Sequence, residues 1–452
     1  MQPSSDTLDR LGVQFDDPHL VANAGLLLRA TLAQHLGLRE AVEQQLDLGD
    51  APGRANAGPK AMPVIHSMVA GGDSIDDTNV LRAGATQGVV GHAVLAPSTL
   101  GTFLRSFTVG HVRQMDAVGR EMLRRAWEGE RGPGARALTI DMDSTIREVF
   151  RLLKQGVGFG CTKVRGYHPL LATRADTGAV LHSRRRGGAA FTARGGAGFL
   201  AETFSRVRAA GATGQLTLRA DSGFYSNAVL TTCRRAGVRF SGTARPDKAA
   251  QRAIAATPEE AWVPIPYWSS WGTFGEGEQG QPISGADVAE VSYTAFGKKG
   301  IRLRLIVRRV RPTLGSQLAL CTEFGHHALV TDWEGTTLEL EADHRRHAEV
   351  EAVIRDLKQG AGLAHLPSGR FAANAAWLAF STIAYNLARW VVDIGLPEQL
   401  PACTTTGRLR RCLFSVPGRR TRSARHETLH LPQRWPWQLL FLNALRQIRA
   451  AT

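Results

Sequence analysis

The sequence contains few cysteines, and none of them lie close together. The five cysteines stand at positions 161, 233, 321, 403 and 412, so no two are within two to four residues of each other. Zinc-binding motifs need such close pairs, and an odd number of widely spaced cysteines argues against a disulfide framework. We therefore expect reduced structural thiols.

The sequence also lacks long hydrophobic runs. No stretch of 18 or more apolar residues occurs, although 43% of the 452 residues are hydrophobic. A membrane-spanning helix needs such a stretch, so we expect no membrane association. The first residues, MQPSSDTLDRLGVQFDD, show no positively charged segment followed by an apolar one, so no secretory signal is expected. The sequence therefore predicts a cytoplasmic protein with a large buried core.

Acidic residues are the minority among the charged ones. Lysine and arginine total 55 while aspartate and glutamate total 40, which leaves a formal charge of +15. A net positive field favours polyanionic partners, of which nucleic acid is the commonest. An arginine bias typical of GC-rich genomes explains part of this excess, so charge alone leaves DNA binding as a hypothesis.

The order of helical and strand-like segments predicts an α/β protein with several regions. A prior of about one domain per 150 residues suggests two to four domains. A leucine-rich first part predicts helices, including TLAQHLGLREAV, which fits either a helix-turn-helix or two core helices. The centre alternates strands with amphipathic helices, a strand-rich part follows, and helices return before a basic tail. The regions we predict are 1–130, 131–245, 246–340, 341–395 and 396–452.

Two aspartates end a predicted buried strand, ALTIDMD (137–143). Because side chains alternate along a strand, Asp141 and Asp143 share one face. Asp221 ends a later apolar strand, LTLRAD, just before a Ser-Gly pair. The point where a strand gives way to a loop is where α/β sheets usually hold ligands. For each aspartate a turn-capping role stays open as the alternative.

The segment HRRHAEVEAVIRDLKQG (344–360) predicts a helix with a narrow polar face. At about 100° per residue, four polar residues fall within an arc of roughly 60°. These residues are His344, His347, Glu351 and Lys358. Arg355 flanks the arc, and apolar residues occupy the other side. One face thus offers a carboxylate between imidazoles and a cation, although an ordinary solvent-exposed polar stripe fits the same pattern.

A strand-like segment in the strand-rich region carries repeated arginines. GKKGIRLRLIVRRVRP (297–312) places Arg302, Arg304 and Arg308 on one side of a strand. Both a DNA-facing surface and a solvated sheet edge fit this pattern.

Carboxylates from three separate elements suit phosphodiester chemistry. Two Mg²⁺ ions about 3.5–4 Å apart can clamp the attacking and leaving oxygens of an in-line displacement. Mg²⁺ takes oxygen ligands and keeps waters, so few carboxylates suffice. Asp143, Asp221 and Glu351 form a candidate set of this kind, and lysine and arginine beside them would hold the substrate phosphate.

Several long stretches resemble bacterial insertion-sequence transposases of the DDE type, in particular the insertion sequence 1380 group within the wider insertion sequence 4 clan. The similarity lies in LTIDMDSTI, KQGVGFGCTKVRGYHPLLATRADTGAVLHSRRRGG, LTLRADSGFYS and HRRHAEVEAVIRDLKQGAGLAHLPSGRFAANAAW. These stretches cover most of 137–392 in the family's order. GDSIDDTNVLRAG (72–84) also looks like that group.

The resemblance implies a fold and an activity. The expected fold is a ribonuclease-H-like catalytic core with a β-rich insertion between the second and third acids, preceded by an α-helical N-terminal domain that we expect to bind DNA. The expected reaction is Mg²⁺-dependent cleavage at transposon ends, followed by joining of the 3′-hydroxyl to target DNA. The family's first, second and third acids map onto Asp143, Asp221 and Glu351, with Asp141 as a further candidate metal ligand. Two Mg²⁺ ions are expected, and Mn²⁺ is expected to substitute.

The resemblance also implies partners and DNA contacts. Double-stranded DNA is expected, both as terminal inverted repeats and as target, bound by a dimer or higher oligomer in the bacterial cytoplasm near the nucleoid. The family's third motif runs Tyr, two residues, Arg, three residues, Glu, six residues, Lys, and here histidines replace the Tyr and the Arg. The DNA-contacting residues we predict are Lys358, His344, His347, Arg355, Arg302 and Arg304.

Two other hypotheses stay open at this point. DMDST fits the motif of a haloacid-dehalogenase-like phosphatase, in which Asp141 would be the nucleophile. That class also needs a later acidic pair, and the fourth residue after Asp221 is Tyr225, so the pair is absent there. A catalytically inactive DNA-binding relative is the other hypothesis, against which the intact acids argue.

Overall fold

The computed structural model describes most of the chain. The described residues are 8, 11–51, 53–150, 153–160, 162–245, 247–265, 267–268, 282–283, 285–296, 300–311 and 324–451. Cys161 and Cys321, and positions 297–299 and 312 of the predicted arginine strand, lie outside this range.

The N-terminal part is helical, as predicted. After a two-residue strand, β1 (Leu20–Val21), the helices are α1 (Leu26–His35), α2 (Leu38–Gln45), α3 (Ala57–Ala70), α4 (Thr86–Val90), α5 (Pro97–Arg105) and α6 (Val109–Ala126). Gly37 takes a left-handed conformation between α1 and α2, which lets the chain turn sharply there. Leu28 and Leu32 of α1 and Val42 of α2 are completely buried or nearly so. This burial favours the core-helix interpretation of TLAQHLGLREAV over a helix-turn-helix.

A large mixed sheet forms the centre of the molecule, which confirms the α/β class. Its first elements are β2 (Leu138–Ser144), β3 (Arg147–Glu148), β4 (Gly158–Phe159), β5 (Arg165–Tyr167), β6 (Leu170–Arg174), β7 (Val180–Arg184), α7 (Gly196–Ala209), β8 (Leu216–Ala220), α8 (Asn227–Arg235) and β9 (Arg239–Thr243). Of these strands, β3, β5 and β4 make a separate small sheet. In the large sheet β6 is antiparallel to β2 and β7, whereas β2, β8 and β9 are mutually parallel.

The strand-rich region extends that sheet. It contains α9 (Lys248–Ala255), β10 (Val263–Pro264), β11 (Tyr267–Trp268), β12 (Pro282–Ile283), β13 (Ala286–Ala295), β14 (Ile301–Val310) and β15 (Gly325–Thr331). Among the described residues the large sheet has nine strands, in the order β10-β13-β14-β15-β9-β8-β2-β6-β7. The long strands of the region therefore continue the central sheet through the pairing of β15 with β9. The division of the chain at 246 and 340 stays a prediction.

The last part of the chain is again mainly helical. Its elements are α10 (Thr337–Arg345), a 3₁₀ turn (Arg346–Ala348), α11 (Glu349–Gly360), α12 (Phe371–Gly395), α13 (Thr406–Leu409), a π-helical turn (Arg410–Phe414), β16 (Gly418–Ser423), β17 (His426–His430) and α14 (Gln438–Ala450). Most of α12 is buried, and a single hydrophobic cluster joins it to the N-terminal helices and the sheet. Among the described helices, none is long and apolar enough to span a membrane.

Candidate active site

Two carboxylates meet at the carboxyl ends of neighbouring strands. Met142 of β2 lies opposite Ala220 of the parallel strand β8, so Asp143 and Asp221 leave the sheet side by side. The Asp143 Oδ1 accepts a hydrogen bond from the Ser144 N–H at 2.6 Å, and the Asp221 Oδ1 accepts one from the Gly223 N–H at 3.0 Å. Both side chains are partly buried. The sheet edge predicted from the sequence therefore brings these two acids together.

The third acid approaches from helix α11. Glu351 lies in the first turn of α11 and is exposed. Burial raises the pKa of Asp143 to about 6, and the negative charges of Asp221 and Glu351 contribute to that rise. The Ser144 N–H and His347 act in the opposite direction without cancelling it. The three acids named from the sequence thus share one electrostatic environment.

Lys358 lies beside this acidic cluster. It follows Glu351 by two helical turns, and its Nζ donates to the carbonyl oxygen of Ile146 at 3.4 Å. Burial and the positive charge of Arg147 lower the pKa of Lys358, while the negative charge of Asp143 opposes that shift. Arg355 of the same helix is exposed. Arg147, which the sequence did not single out, is thus a second cation close to Lys358.

Asp141 differs from Asp143 in its surroundings. Its carboxylate is almost completely buried and accepts hydrogen bonds from Nε and Nη2 of Arg219, both at 2.8 Å. The Oδ1 atom also contacts Nδ1 of His347 at 2.8 Å. Burial alone would raise the pKa of Asp141, but these hydrogen bonds from His347 and Arg219 outweigh it and lower the pKa. The charge of Asp141 is thus balanced by Arg219 and His347 within the protein, and its possible roles as a metal ligand or a phosphatase nucleophile stay predictions.

The two histidines of the predicted polar face point into the protein. His344 contacts the Ser241 Oγ through Nδ1 at 2.8 Å and the Thr243 Oγ1 through Nε2 at 3.0 Å. Burial, together with the charges of His347 and Arg219, lowers the pKa of His344 to about 3. Both ring nitrogens of His344 thus contact side chains of β9, and its contact with DNA stays a prediction.

A break in the helix explains this difference. The sequence analysis treated 344–360 as one continuous helix, but α10 ends at Arg345 and a 3₁₀ turn intervenes before α11. A 3₁₀ turn advances about 120° per residue, so the angular position computed for His344 does not hold. His347, in the turn, is bound through Nδ1 to Asp141. Glu351 and Lys358 keep their common face because both lie within α11.

The arginines of β14 do not join the acidic cluster. Arg304 donates to both carboxylate oxygens of Glu290, at 2.7 and 2.6 Å, and to the carbonyl oxygens of Trp333 and Gly335. Arg308 donates to Glu341 at 3.1 Å. Arg302 is exposed, two strands away from β9 in the sheet. Arg304 and Arg308 therefore pair with carboxylates of the protein itself, whereas Arg302 lies on the surface.

His168 is a neighbour of the site that the sequence analysis missed. Its Nε2 contacts the Ser144 Oγ at 2.9 Å, and its Nδ1 contacts the carbonyl oxygen of Ala190 at 3.0 Å. Burial lowers the pKa of His168, and the nearby negative charge of Asp221 partly opposes this. A single histidine between two strands gave no usable sequence signal, because only the pairing of β2 with β6 brings it near Asp143.

Comparisons with known proteins place the chain in a family. A family model described as Transposase DDE domain group 1 matches residues 4–452. Among solved structures, the chain is similar to piggyBac transposase, in a cryo-EM structure of its synaptic complex with hairpin DNA. That similarity has 11% sequence identity and a TM-score of 0.42, and covers 87% of this chain and 79% of the other. No curated protein matches at a significant level. Since the family match spans nearly its whole length, this chain belongs to the transposase DDE domain group 1 family.

Proposed function

We propose that this protein is a DNA transposase that cleaves DNA at the ends of a mobile element in a Mg²⁺-dependent reaction and joins the freed 3′-hydroxyl to target DNA. The observation that carries the proposal is the meeting of three carboxylates. Asp143 and Asp221 end adjacent parallel strands, and Glu351 is close enough for its charge to contribute to the raised pKa of Asp143. We assign these three residues as the catalytic metal ligands.

The donor set fits Mg²⁺. Its ligands are all oxygens, which hard divalent cations prefer. The raised pKa of Asp143 indicates negative charge that the surrounding protein does not fully neutralise, and a bound cation would relieve it. When bound, two Mg²⁺ ions would stabilise the charge on the attacking and leaving oxygens of the phosphodiester. We expect Mn²⁺ to substitute, because it also accepts oxygen ligands.

The chain's own residues would orient the DNA around these carboxylates. Lys358 is close enough to Asp143 and to Arg147 for both charges to affect its pKa, and we propose that Lys358 and Arg147 each pair with a phosphate oxygen near the cleaved bond. Asp141 is a positioning residue, because it ties Arg219 of β8 and His347 of the 3₁₀ turn to β2. Through these contacts the strand ends and α11 keep a fixed relation, which preorganises the three carboxylates.

The DNA-binding surface that we propose extends beyond this site. The formal charge of +15 supports a polyanionic partner. Arg355 and Arg302 are exposed, as are Arg408, Arg411 and Arg425 in the C-terminal region. We propose that such residues contact double-stranded DNA, both terminal inverted repeats and target, and that the N-terminal region takes part in binding. A dimer or higher oligomer on DNA, in the bacterial cytoplasm near the nucleoid, belongs to the same proposal.

We further propose that the core is ribonuclease-H-like. Three antiparallel strands in sequence (β2, β6, β7) followed by two strands parallel to the first (β8, β9) support that assignment. The region from 246 to 340 lies between the second and third acids, as the resemblance implies. We keep the insertion sequence 1380 group as the proposed subgroup on the same motifs.

A cleavage assay tests the proposed function. The substrate would be duplex DNA carrying the sequences that flank the gene, which include the ends of its mobile element. We expect the purified chain to nick this DNA with Mg²⁺ or Mn²⁺, and Glu351→Gln to lose that cutting. The matched control is Glu349→Gln, which changes another exposed glutamate in the first turn of α11.

Two results would contradict the proposal. Full metal-dependent cutting by Glu351→Gln would refute its assignment as a catalytic ligand. DNA binding without any cutting, by an unaltered chain at all metal concentrations, would instead support the inactive DNA-binding relative.

A further inference from the structure

A second group of metal-ligand side chains lies at another edge of the large sheet. Asp116 of α6, His182 of β7 and Glu202 of α7 converge there. The His182 Nε2 is 3.6 Å from the Asp116 Oδ1 and 3.9 Å from the Glu202 Oε2. All three residues line a cavity of about 540 Å³, which gives an ion a path to them. β7 is separated from β2 by β6, so this group is distinct from the acids of the candidate active site.

The hydrogen bonds of His182 leave a lone pair pointing at the two carboxylates. The Thr203 hydroxyl donates its one proton to the carbonyl oxygen of Phe199 at 2.8 Å, so it accepts from His182 Nδ1–H at 2.9 Å. Burial, together with the positive charges of Arg206 and Arg184, lowers the pKa of His182 well below its ordinary value. The imidazole is therefore neutral with its proton on Nδ1. Its Nε2 carries a free lone pair, as a metal-bound histidine requires.

That lone pair has no partner within the described protein. His182 is 2% exposed, and its Nε2 is a buried atom without a hydrogen bond. A buried acceptor left unpaired is unfavourable, and such groups usually have a water, an ion or a functional reason. The ring is held in place by stacking on Phe199, with ring centroids 4.2 Å apart. The Nε2 of His182 thus has no hydrogen-bond partner among the described residues and faces two carboxylates, which is the arrangement expected of an ion site.

The neighbouring arginines leave room for such an ion. Arg206 donates to the Oδ2 of Asp116 at 2.6 Å, so the Oδ1 is the oxygen that faces His182. Arg184 pairs with the Oε2 of Glu202, which is also the oxygen 3.9 Å from the His182 Nε2, and the Glu202 side chain is more than half exposed. Ligand atoms around a tetrahedral Zn²⁺ with bonds near 2.0–2.2 Å are roughly 3.3–3.6 Å apart. The observed 3.6 and 3.9 Å therefore need only a small adjustment.

We propose that Asp116, His182 and Glu202 bind a transition-metal ion such as Zn²⁺, with water completing its coordination. Imidazole suits Zn²⁺ and related ions, whereas Mg²⁺ prefers ligand sets made only of oxygens. Because Asp116 belongs to the N-terminal helical part and the other two ligands to the central α/β part, the ion would join these two parts. Thr203 would act as the outer partner that fixes the tautomer of His182.

Metal titration of the full chain tests this site. The proposed catalytic carboxylates would also bind ions, so the starting protein carries Asp143→Asn, Asp221→Asn and Glu351→Gln and is first dialysed against a chelator. We expect calorimetry with Zn²⁺ to show one ion per chain, and Co²⁺ to give the visible absorption of a low-coordinate site. Mg²⁺ should not compete at this site.

Single changes in that background identify the ligands. Asp116→Asn and Glu202→Gln should each weaken Zn²⁺ binding by more than the roughly 10- to 100-fold that loss of an outer partner costs. Glu121→Gln is the matched control, because Glu121 also lies on α6 and pairs with arginines but is not part of the group. Glu202 is exposed, so Glu202→Gln should fold normally even where Asp116→Asn does not.

Several outcomes would overturn the proposal. Absence of Zn²⁺ binding by the starting protein would do so. So would Zn²⁺ affinity that Glu202→Gln leaves unchanged, since the ion would then sit at adventitious surface ligands. A melting temperature that rises with Zn²⁺ in the starting protein but not in Glu202→Gln would support the site independently of calorimetry.

Discussion

The middle and the end of strand β2 each carry an aspartate, and the two aspartates have opposite pKa shifts. Asp141 and Asp143 lie two residues apart on one face of the strand. Asp141 is enclosed by Arg219 and His347, and its pKa is lowered. Burial, together with the charges of Asp221 and Glu351, raises the pKa of Asp143 to about 6. The protein thus stabilises the charged form of Asp141 and disfavours the charged form of Asp143.

The surroundings of Asp141 and Asp143 show how neighbouring positions of one strand can differ in the way their charge is stabilised. The buried end of the strand binds its charge internally, because an unpaired charge there would be costly. The other end lies near three like charges, of which Asp143 and Asp221 are partly buried and Glu351 is exposed to solvent. The group around His182 combines both features, since its carboxylates pair with arginines while its imidazole nitrogen stays unpaired.

The largest effect should come from breaking the buried pair. Asp141→Ala leaves Arg219 as an uncompensated buried charge, so we expect a loss of about 3–5 kcal/mol in the free energy of unfolding. Urea denaturation of the purified chain measures it. Combining Asp141→Leu with Arg219→Met should recover much of the loss, because neither charge then remains. A change below about 1 kcal/mol for Asp141→Ala would contradict the scaffold role.

The equivalent change two residues later should affect activity and spare stability. Asp143→Asn removes a proposed metal ligand, so we expect DNA cleavage to fall by at least about 10²–10³-fold. In metal-free buffer the same variant should be as stable as the unaltered chain or more stable, because a like charge is removed from the cluster. Cleavage rates and thermal denaturation with a chelator check the two parts. If Asp143→Asn lost as much stability as Asp141→Ala, the proposed difference between a structural Asp141 and a metal-binding Asp143 would be wrong.

Protons and Mg²⁺ should compete for the carboxylate of Asp143, so Mg²⁺ affinity should depend on pH. The folded pKa of Asp143 is raised to about 6, above the ordinary value of 3.8, so the carboxyl takes up a proton as the pH falls through 6. A metal ligand must be ionised. Mg²⁺ affinity should therefore fall about tenfold between pH 7 and pH 5, since one pKa unit corresponds to about 1.4 kcal/mol. Calorimetric titration measures this, and an affinity that is constant over the range would argue against Asp143 as a ligand.

The smallest effect should come from a comparison of the partly buried cation of Lys358 with the imidazole of His344. Lys358→Ala removes one proposed phosphate contact, so we expect the slope of log affinity for DNA against log salt to decrease by about 1. His344→Asn should leave that slope unchanged, because both ring nitrogens of His344 contact side chains of β9. Fluorescence anisotropy at several salt concentrations makes the comparison. Equal changes in slope for both variants would show that His344 also reaches DNA.

The sequence could predict the parts of the site that depend on local order. Asp143 and Asp221 stand where apolar strands end, and Glu351 and Lys358 share a face because both fall within α11. The strand-rich region was also recognisable from its composition. What could not be predicted was that β15 would pair with β9, because strand pairing depends on contacts distant in sequence.

Local sequence patterns do not predict the hydrogen-bond partner of a side chain when that partner is distant in the sequence. His344 looked like a member of the polar face until a short 3₁₀ turn directed it towards Ser241 and Thr243. Asp141 looked equivalent to Asp143, and only the parallel pairing of β2 with β8 brings Arg219 beside it.

The sequence by itself determined the α/β class, the family resemblance and the identity of the three candidate acids, because these depend on periodicity and on motifs of neighbouring residues. Only the tertiary structure decided which charges are neutralised inside the protein. It also brought Asp116, His182 and Glu202 together from three separate elements. The physical reason is that burial and ion pairing depend on three-dimensional contacts. Residues far apart in the chain come into contact only when the sheet has formed.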